Sequence, residues 1–139
     1  MPENDWIERL NAHRDGTLMD TLDIRYRDAG PDFLVADMPV DERHRQPMGI
    51  LHGGASAALA ESVGSAASAM VLADTGRAAV GLELAINHLA AVRNGRITAR
   101  AEAVHLGRST HLWQIRIEDE HGRKVALAKL TLLVGHATN

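Results

Sequence analysis

The chain has 139 residues, of which 45% are hydrophobic, with 15 Lys or Arg and 18 Asp or Glu and a formal net charge of −3. This length fits a single domain with one core, spanning residues 1–139, and the negative charge with scattered basic residues argues against a nucleic-acid-binding surface. The lack of cysteine excludes disulfides, thiolate metal ligands and a cysteine nucleophile.

The N-terminal third predicts a short helix followed by two strands. The first ten residues, MPENDWIERL, are acidic where a secretory signal peptide is basic and then apolar, so we expect a cytoplasmic protein. Apolar residues recur at helical spacing within residues 5–13, and we expect this amphipathic helix to pack as a lid. Apolar and charged residues then alternate over residues 22–27 and again up to Met38, with a Gly-Pro-Asp turn between the two runs. This alternation predicts a hairpin.

A long apolar helix is predicted next. Residues 41–50 are polar and turn-rich, which predicts a loop, and residues 53–73 follow with the sequence GGASAALAESVGSAASAMVLA, whose end is expected near residues 74–76. The only formal charge in this segment is Glu61. Its Ser and Gly residues and the central glutamate make the segment too polar for a membrane span.

Glu61 is the most informative residue of this helix. Glu61 lies either on the solvated face of an amphipathic helix or at a buried position. Because burial of a carboxylate costs several kcal/mol, a buried Glu61 would indicate a function. The residues three and four positions away are small or weakly polar, whereas an exposed face would carry more charge. The pattern favours a functional carboxylate, and the preceding His52-Gly53-Gly54 suggests a helix start rich in backbone donors.

Four further strands are predicted over residues 79–88, 96–106, 111–119 and 124–134, each with alternating apolar and polar residues. Turn residues at 94–95, 107–108 and 120–122 favour an antiparallel meander and leave no room for crossover helices. One long apolar helix and about six antiparallel strands predict an α+β fold in which a curled sheet wraps around the helix. A sheet covers only part of such a helix, so we expect a partner subunit to cover more.

Several motifs together resemble the hotdog-fold acyl-CoA thioesterases. They are QPMGILHGGAS at residues 46–56, LAES at 59–62, VGLE at 80–83, NH at 87–88, HLGR at 105–108 and Trp113. The resemblance covers residues 22–134 and is closest to the branch with a catalytic carboxylate in mid-helix, whose members act on 4-hydroxybenzoyl-CoA, 1,4-dihydroxy-2-naphthoyl-CoA or mischarged aryl carrier proteins. It implies a hotdog fold and hydrolysis of aryl- or medium-chain acyl-CoA, or of acyl-carrier-protein thioesters.

The resemblance also implies an active site. The backbone N–H of Gly53 polarises the thioester carbonyl, Glu61 is the catalytic carboxylate, Ser65 is a neighbouring hydroxyl and Gln46 is a loop glutamine that orients substrate or water. Glu61 acts either as a nucleophile, through a mixed anhydride, or as a general base on water. His52 either hydrogen-bonds the thioester or fixes the loop.

Substrate contacts are expected at further positions, namely Gly54, Ser62, His88, Arg108, Ser109 and Thr110. The turn at residues 107–110 offers a cation, hydroxyls and backbone N–H groups that suit the phosphates of coenzyme A, although a solvated hairpin turn is the alternative. The eight histidines show no metal-ligand spacing, so we expect no metal and no cofactor, coenzyme A being part of the substrate.

Gly53 and Glu61 are eight residues apart, which is about 12 Å along a helix and too far for both to reach one thioester. Two antiparallel copies of the helix, related by a two-fold axis, would bring Gly53 and Gln46 of one subunit to Glu61 of the other. We therefore expect a homodimer with shared active sites, paired further into a homotetramer. A dehydratase, which needs a catalytic histidine, and a non-catalytic acyl-thioester-binding module, which does not need Glu61, remain alternatives.

Overall fold

A six-stranded antiparallel sheet curls around one long helix in the computed structural model of the chain, which describes residues 3–136. The elements are α1 (Glu3–Ala12), α2 (Leu18–Leu22), β1 (Arg25–Gly30), β2 (Phe33–Pro39), α3 (Gly53–Val71), β3 (Arg77–His88), β4 (Arg96–Leu106), β5 (Thr110–Asp119) and β6 (Lys124–His136). The predicted α+β class and the sheet around a central helix are confirmed. None of the helices within the described residues is long and apolar enough to cross a membrane.

The strand order, β1-β2-β4-β5-β6-β3, differs from a meander. After α3 the chain places β3 at the far edge against β6, with Leu84 opposite Leu130, and then returns to lay β4 beside β2. The prediction of a hairpin at Asn94-Gly95 is therefore wrong, because this turn ends a crossover from one side of the sheet to the other. A turn signal marks where the chain changes direction but does not identify the strand that it will pair with. The other two predicted turns are hairpins between neighbouring strands.

One side of α3 packs on the concave face of the sheet. Its buried residues are Ala55, Ser56, Leu59, Ala60, Val63, Gly64, Ala67 and Ser68. The small residues allow a close approach, since a Cβ atom on Gly64 would lie 2.6 Å from Cδ2 of Leu130. The helix ends at Val71, a few residues earlier than predicted, and Asp74 and Gly76 follow with positive φ angles of 64° and 73°.

The N-terminal helices cover the other edge of the sheet. α1 packs against β1, and the side-chain amide of Asn11 donates to the Tyr26 carbonyl at 2.9 Å while its oxygen accepts from the Tyr26 N–H at 2.9 Å. Asn11 thus satisfies both backbone hydrogen-bonding groups of Tyr26 in an edge strand. The sequence did not predict α2, and it placed Leu22 in a strand. The chain leaves α2 through Asp23 in the left-handed region (φ 55°), so β1 begins only at Arg25.

Candidate active site

Glu61 lies midway along α3, on the flank that faces α1 and α2. Its side chain is exposed in the single chain, so the expectation of a buried carboxylate is wrong for the isolated subunit. The physical reason is that the sheet covers only one side of α3. The carboxylate lies close to β3, because a Cβ atom on Gly81 would be 2.9 Å from Glu61 Oε2. The glycine therefore leaves the space that the carboxylate occupies.

The Glu61 cleft is an open cavity of about 840 Å³ between α3 and the two N-terminal helices. Its floor on α3 includes Ser62 and Ser65, and its walls include Trp6 and Leu10 of α1 together with residues of α2. α1 therefore forms one wall of the open cleft that holds Glu61, and its action as a lid stays a prediction. The Ser62 hydroxyl donates to the Ala58 carbonyl at 2.6 Å, which occupies its only proton within the helix.

A second cavity, the Gln46 cleft, has a volume of about 400 Å³ and is lined by Gln46, Gly53 and His88 among others. A Cβ atom on Gly53 would lie 2.8 Å from Nε2 of His88, so the imidazole lies directly over the start of α3. The Gln46 side-chain oxygen accepts from the Met48 N–H, and the Gln46 N–H donates to the Ile50 carbonyl at 2.9 Å. These bonds hold the loop beside the helix N-terminus.

His52 caps α3. Its Nδ1 atom accepts a hydrogen bond from the Gly54 N–H at 2.7 Å. This bond fixes the start of the helix, and the other predicted role of His52, a hydrogen bond to the thioester, stays a prediction. The Gly53 N–H has no protein acceptor among residues 3–136. It remains a free donor at the positive end of the helix dipole, where an oxygen that gains negative charge is stabilised.

The predicted site residues thus fall into separate places on one chain. Glu61 and Ser65 lie in one cleft, whereas Gln46 and Gly53 lie in the other, and the two clefts share no lining residue within the described chain. Gly54, the neighbour of Gly53, lines the Glu61 cleft. The two halves of the expected site do not meet in a single subunit.

The predicted nucleotide-binding turn forms a third location, at the β4–β5 hairpin. The Gly107 N–H donates to the Thr110 carbonyl and the Val134 N–H donates to the Ser109 carbonyl, both at 2.9 Å. The Arg77 guanidinium donates to the Arg108 carbonyl. The side chains of Arg108 and Ser109 are exposed, so their charge and hydroxyl are accessible to a ligand.

Tyr26 is a cleft residue that sequence reasoning missed. It lines the Glu61 cleft, is 4% exposed and donates its hydroxyl proton to the Ser62 carbonyl at 3.4 Å. Burial raises its pKa to about 12, so the hydroxyl stays protonated. In the sequence it is one apolar residue of an alternating strand, and nothing distinguished it. Within the described part of the chain, no three His, Asp or Glu side chains are grouped so as to hold a metal ion.

Comparison with known proteins identifies similar chains. Residues 48–126 match the family model described as thioesterase superfamily. The chain is 44% identical over 128 residues to a 1,4-dihydroxy-2-naphthoyl-CoA hydrolase of Escherichia coli K12, covering 92% of this chain and 93% of that protein. It is 45% identical over 128 residues to the proofreading thioesterase EntH of Cronobacter turicensis, with the same coverage. A mutant thioesterase from Pseudomonas aeruginosa superimposes with a TM-score of 0.91 at 45% identity over 94% of each chain.

Proposed function

Because this chain belongs to the thioesterase superfamily and is a thioester hydrolase, we propose that it hydrolyses aryl- or medium-chain acyl-CoA, or the equivalent carrier-protein thioesters, at Glu61. The resemblance that the sequence motifs predicted is confirmed by these comparisons. The observation that carries the substrate assignment is the Glu61 cleft, where a carboxylate and the Ser65 hydroxyl lie in a cavity walled mainly by Trp, Leu, Met and Ala side chains. An apolar acyl group fits such walls, and the carboxylate fits the reacting carbonyl.

The chemistry needs a stabilised oxyanion and a source of hydroxide or another nucleophile. The free Gly53 N–H at the start of α3 would donate to the carbonyl oxygen as it becomes negatively charged. As a base, Glu61 takes a proton from water, hydroxide adds to the carbonyl carbon, the C–S bond breaks and the proton passes to the departing thiolate. As a nucleophile, its carboxylate displaces the thiolate and water opens the anhydride. Neither route requires a cofactor.

We further propose that the complete site forms between two subunits, with the Gln46 cleft of one facing the Glu61 cleft of the other. Edge strand β3 supports this arrangement, because it carries Gly81 beside Glu61 and ends at His88 beside Gly53. Its Val80 and Leu82 side chains are 65% and 64% exposed in the single chain. A two-fold pairing along β3 would cover them and bring the two clefts together.

The proposed function has two further parts, a tetrameric assembly and a binding site for coenzyme A. Exposed Leu127 and Leu133 on β6, next to β3, support pairing of two dimers into a tetramer. Arg108, Ser109 and Thr110 would hold the phosphates of coenzyme A at the β4–β5 turn, with Gly54, Ser62 and His88 nearer the thioester. A coenzyme A substrate also fits the cytoplasmic location expected from the sequence.

The decisive test is the substitution Glu61→Gln, assayed by thiol release from benzoyl-CoA and octanoyl-CoA. We expect kcat to fall at least about a thousandfold, because the variant lacks both a nucleophile and a base. Glu118→Gln, which changes an exposed carboxylate on the outer face of β5, is the matched control and should retain activity. Near-wild-type turnover by Glu61→Gln would refute the assignment.

A further inference from the structure

A third cavity, here called the distal cleft, lies at the far end of α3 and has no role in the function proposed above. It has a volume of about 260 Å³ and is lined by Trp6, Gly30, Pro31, Phe33, Ala67, Met70, Val71 and Trp113. None of these residues carries a charge, and the indole N–H of Trp113 already donates to Ser68 Oγ at 2.8 Å. The side chains that line the cleft are therefore uncharged and mostly hydrocarbon, which suits the end of an acyl chain.

The distal cleft continues the Glu61 cleft along α3. The helix residues that line the Glu61 cleft run from Gly54 to Ala66, and those that line the distal cleft run from Ala67 to Val71. Met70 is nine residues beyond Glu61, which corresponds to about 13 Å along the helix axis. An acyl chain that starts at Glu61 and follows α3 towards its C-terminus would thus reach the distal cleft.

Trp6 borders both cavities. Within the described chain it is the one residue that lines both of them. Its ring is partly buried, and the guanidinium of Arg9 lies over it at 4.6 Å from the ring centroid. This cation–π contact packs a second side chain of α1 against the indole and favours its present position.

We propose that the distal cleft is a second acyl subsite and that Trp6, as the partition in front of it, sets the length of acyl chain that the enzyme accepts. The proposal rests on the function proposed for the Glu61 cleft. With the indole in place, the acyl group ends within the Glu61 cleft, and methylenes beyond that point have no apolar surface to enter. Removal of the indole joins the two cavities into one groove along α3.

The test is the chain-length profile of Trp6→Leu, measured as kcat/KM for acyl-CoAs from hexanoyl to hexadecanoyl. We expect the ratio of tetradecanoyl to octanoyl hydrolysis to rise at least about tenfold over wild type, since each methylene buried in an apolar site is worth about fourfold. The gain should appear chiefly as a lower KM, because the distal contacts are the same in ground and transition states. Glu8→Ala, an exposed position on α1 that lines no cleft described here, is the control.

A second substitution tests whether the longer acyl chain enters the distal cleft. Met70→Trp, introduced into the Trp6→Leu enzyme, fills the distal cleft and should return the ratio to its wild-type value. The proposal is overturned by an unchanged ratio in Trp6→Leu, by a gain that persists in the double variant, or by a wild-type enzyme that already prefers tetradecanoyl-CoA. If Trp6→Leu unfolds, Trp6→Phe gives a smaller shift in the same direction. Failure of the proposed function is recognised separately, because Glu61→Gln would then retain activity on octanoyl-CoA.

Discussion

Two glycines beside the candidate catalytic groups are required by close contacts and not by backbone conformation. A Cβ atom at Gly81 would lie 2.9 Å from Glu61 Oε2, and one at Gly53 would lie 2.8 Å from His88 Nε2. Neither glycine has a positive φ angle. In both cases the atom that an added methyl group would displace is the polar end of a side chain. The methyl group would therefore move that polar group while lowering the stability of the fold only slightly.

Gly81→Ala should therefore lower activity with little loss of stability. The methyl group pushes the Glu61 carboxylate away, and a displacement on the order of 1 Å can cost up to about a hundredfold in kcat. Gly135→Ala on β6 is the matched control, because a methyl group at that position would have no heavy atom within 4 Å beyond its chain neighbours. Steady-state thiol release and urea unfolding measure the two effects. Unchanged kcat in Gly81→Ala would contradict the proposed position of the carboxylate.

Arg108→Ala addresses the other end of the substrate. If its exposed guanidinium pairs with phosphates of coenzyme A, the variant should show a higher KM for acyl-CoA, and the defect should shrink at high salt as ions screen the pair. An N-acetylcysteamine thioester, which lacks the nucleotide, should be hydrolysed equally by both enzymes. An equal defect on both substrates would place Arg108 away from the nucleotide.

At the scale of elements, a buried polar group joins α3 to β5. Ser68 Oγ accepts from the Trp113 indole N–H at 2.8 Å and shares a hydrogen bond of 2.8 Å with Nδ1 of His111, and all three residues are at most 2% exposed. Burial lowers the pKa of His111, with smaller contributions from Arg77 and His105. The lowered pKa favours the neutral form of the buried imidazole.

This group predicts a pH dependence of stability. Below the ordinary histidine pKa of about 6.5, the unfolded chain binds a proton that folded His111 does not, so the free energy of unfolding should fall as the pH is lowered. His111 changes the free energy of unfolding by at most about 1.4 kcal/mol per pH unit. Above about pH 7.5 this residue causes no further change with pH. Urea unfolding between pH 8 and pH 5 should show a shallower slope for His111→Gln than for wild type. Equal slopes would contradict a neutral buried His111.

The sequence predicted the helices and strands better than it predicted which strands pair. Alternation of apolar and polar residues identified the strands, and the uncharged run around Glu61 identified α3. The edge position of β3 was missed because local turn signals do not specify which strand lies alongside. Ser68 and Tyr26 were missed because each resembles any small helix or apolar strand residue until the fold places it. The run His52-Gly53-Gly54 indicated a helix start rich in backbone donors, but the catalytic roles of Gly53 and Gln46 came from motif resemblance.

At the scale of the molecule, one chain holds two incomplete halves of a site. Glu61 with Ser65, and Gln46 with Gly53, occupy different clefts. The separation along α3 is fixed by helix geometry at about 12 Å, so no side-chain motion within a subunit closes it. A second copy of the chain, paired along β3 as proposed above, would supply the missing half without any change in the fold.

Complementation between two inactive variants tests this arrangement. Equal amounts of Glu61→Gln and Gln46→Ala, refolded together from urea, should recover about a quarter of wild-type activity, because half of the dimers are mixed and each has one intact site. Each variant refolded alone is the control. If Gln46 and Glu61 act within one subunit, every site in the mixture carries a lesion and no activity returns.

The side chain of Asn11 has a consequence for how many copies can join. Because Asn11 occupies the backbone groups of Tyr26 and α1 packs against β1, the edge of the sheet left open to another molecule within residues 3–136 is β3. Such a subunit has one open sheet edge to which a strand of another molecule can add. In the proposed pairing along β3, two such subunits would close each other's open edge and growth would stop at two, whereas a sheet open at both edges would propagate into a fibre. By occupying the backbone groups of Tyr26, Asn11 would thus block addition of a strand at the β1 edge.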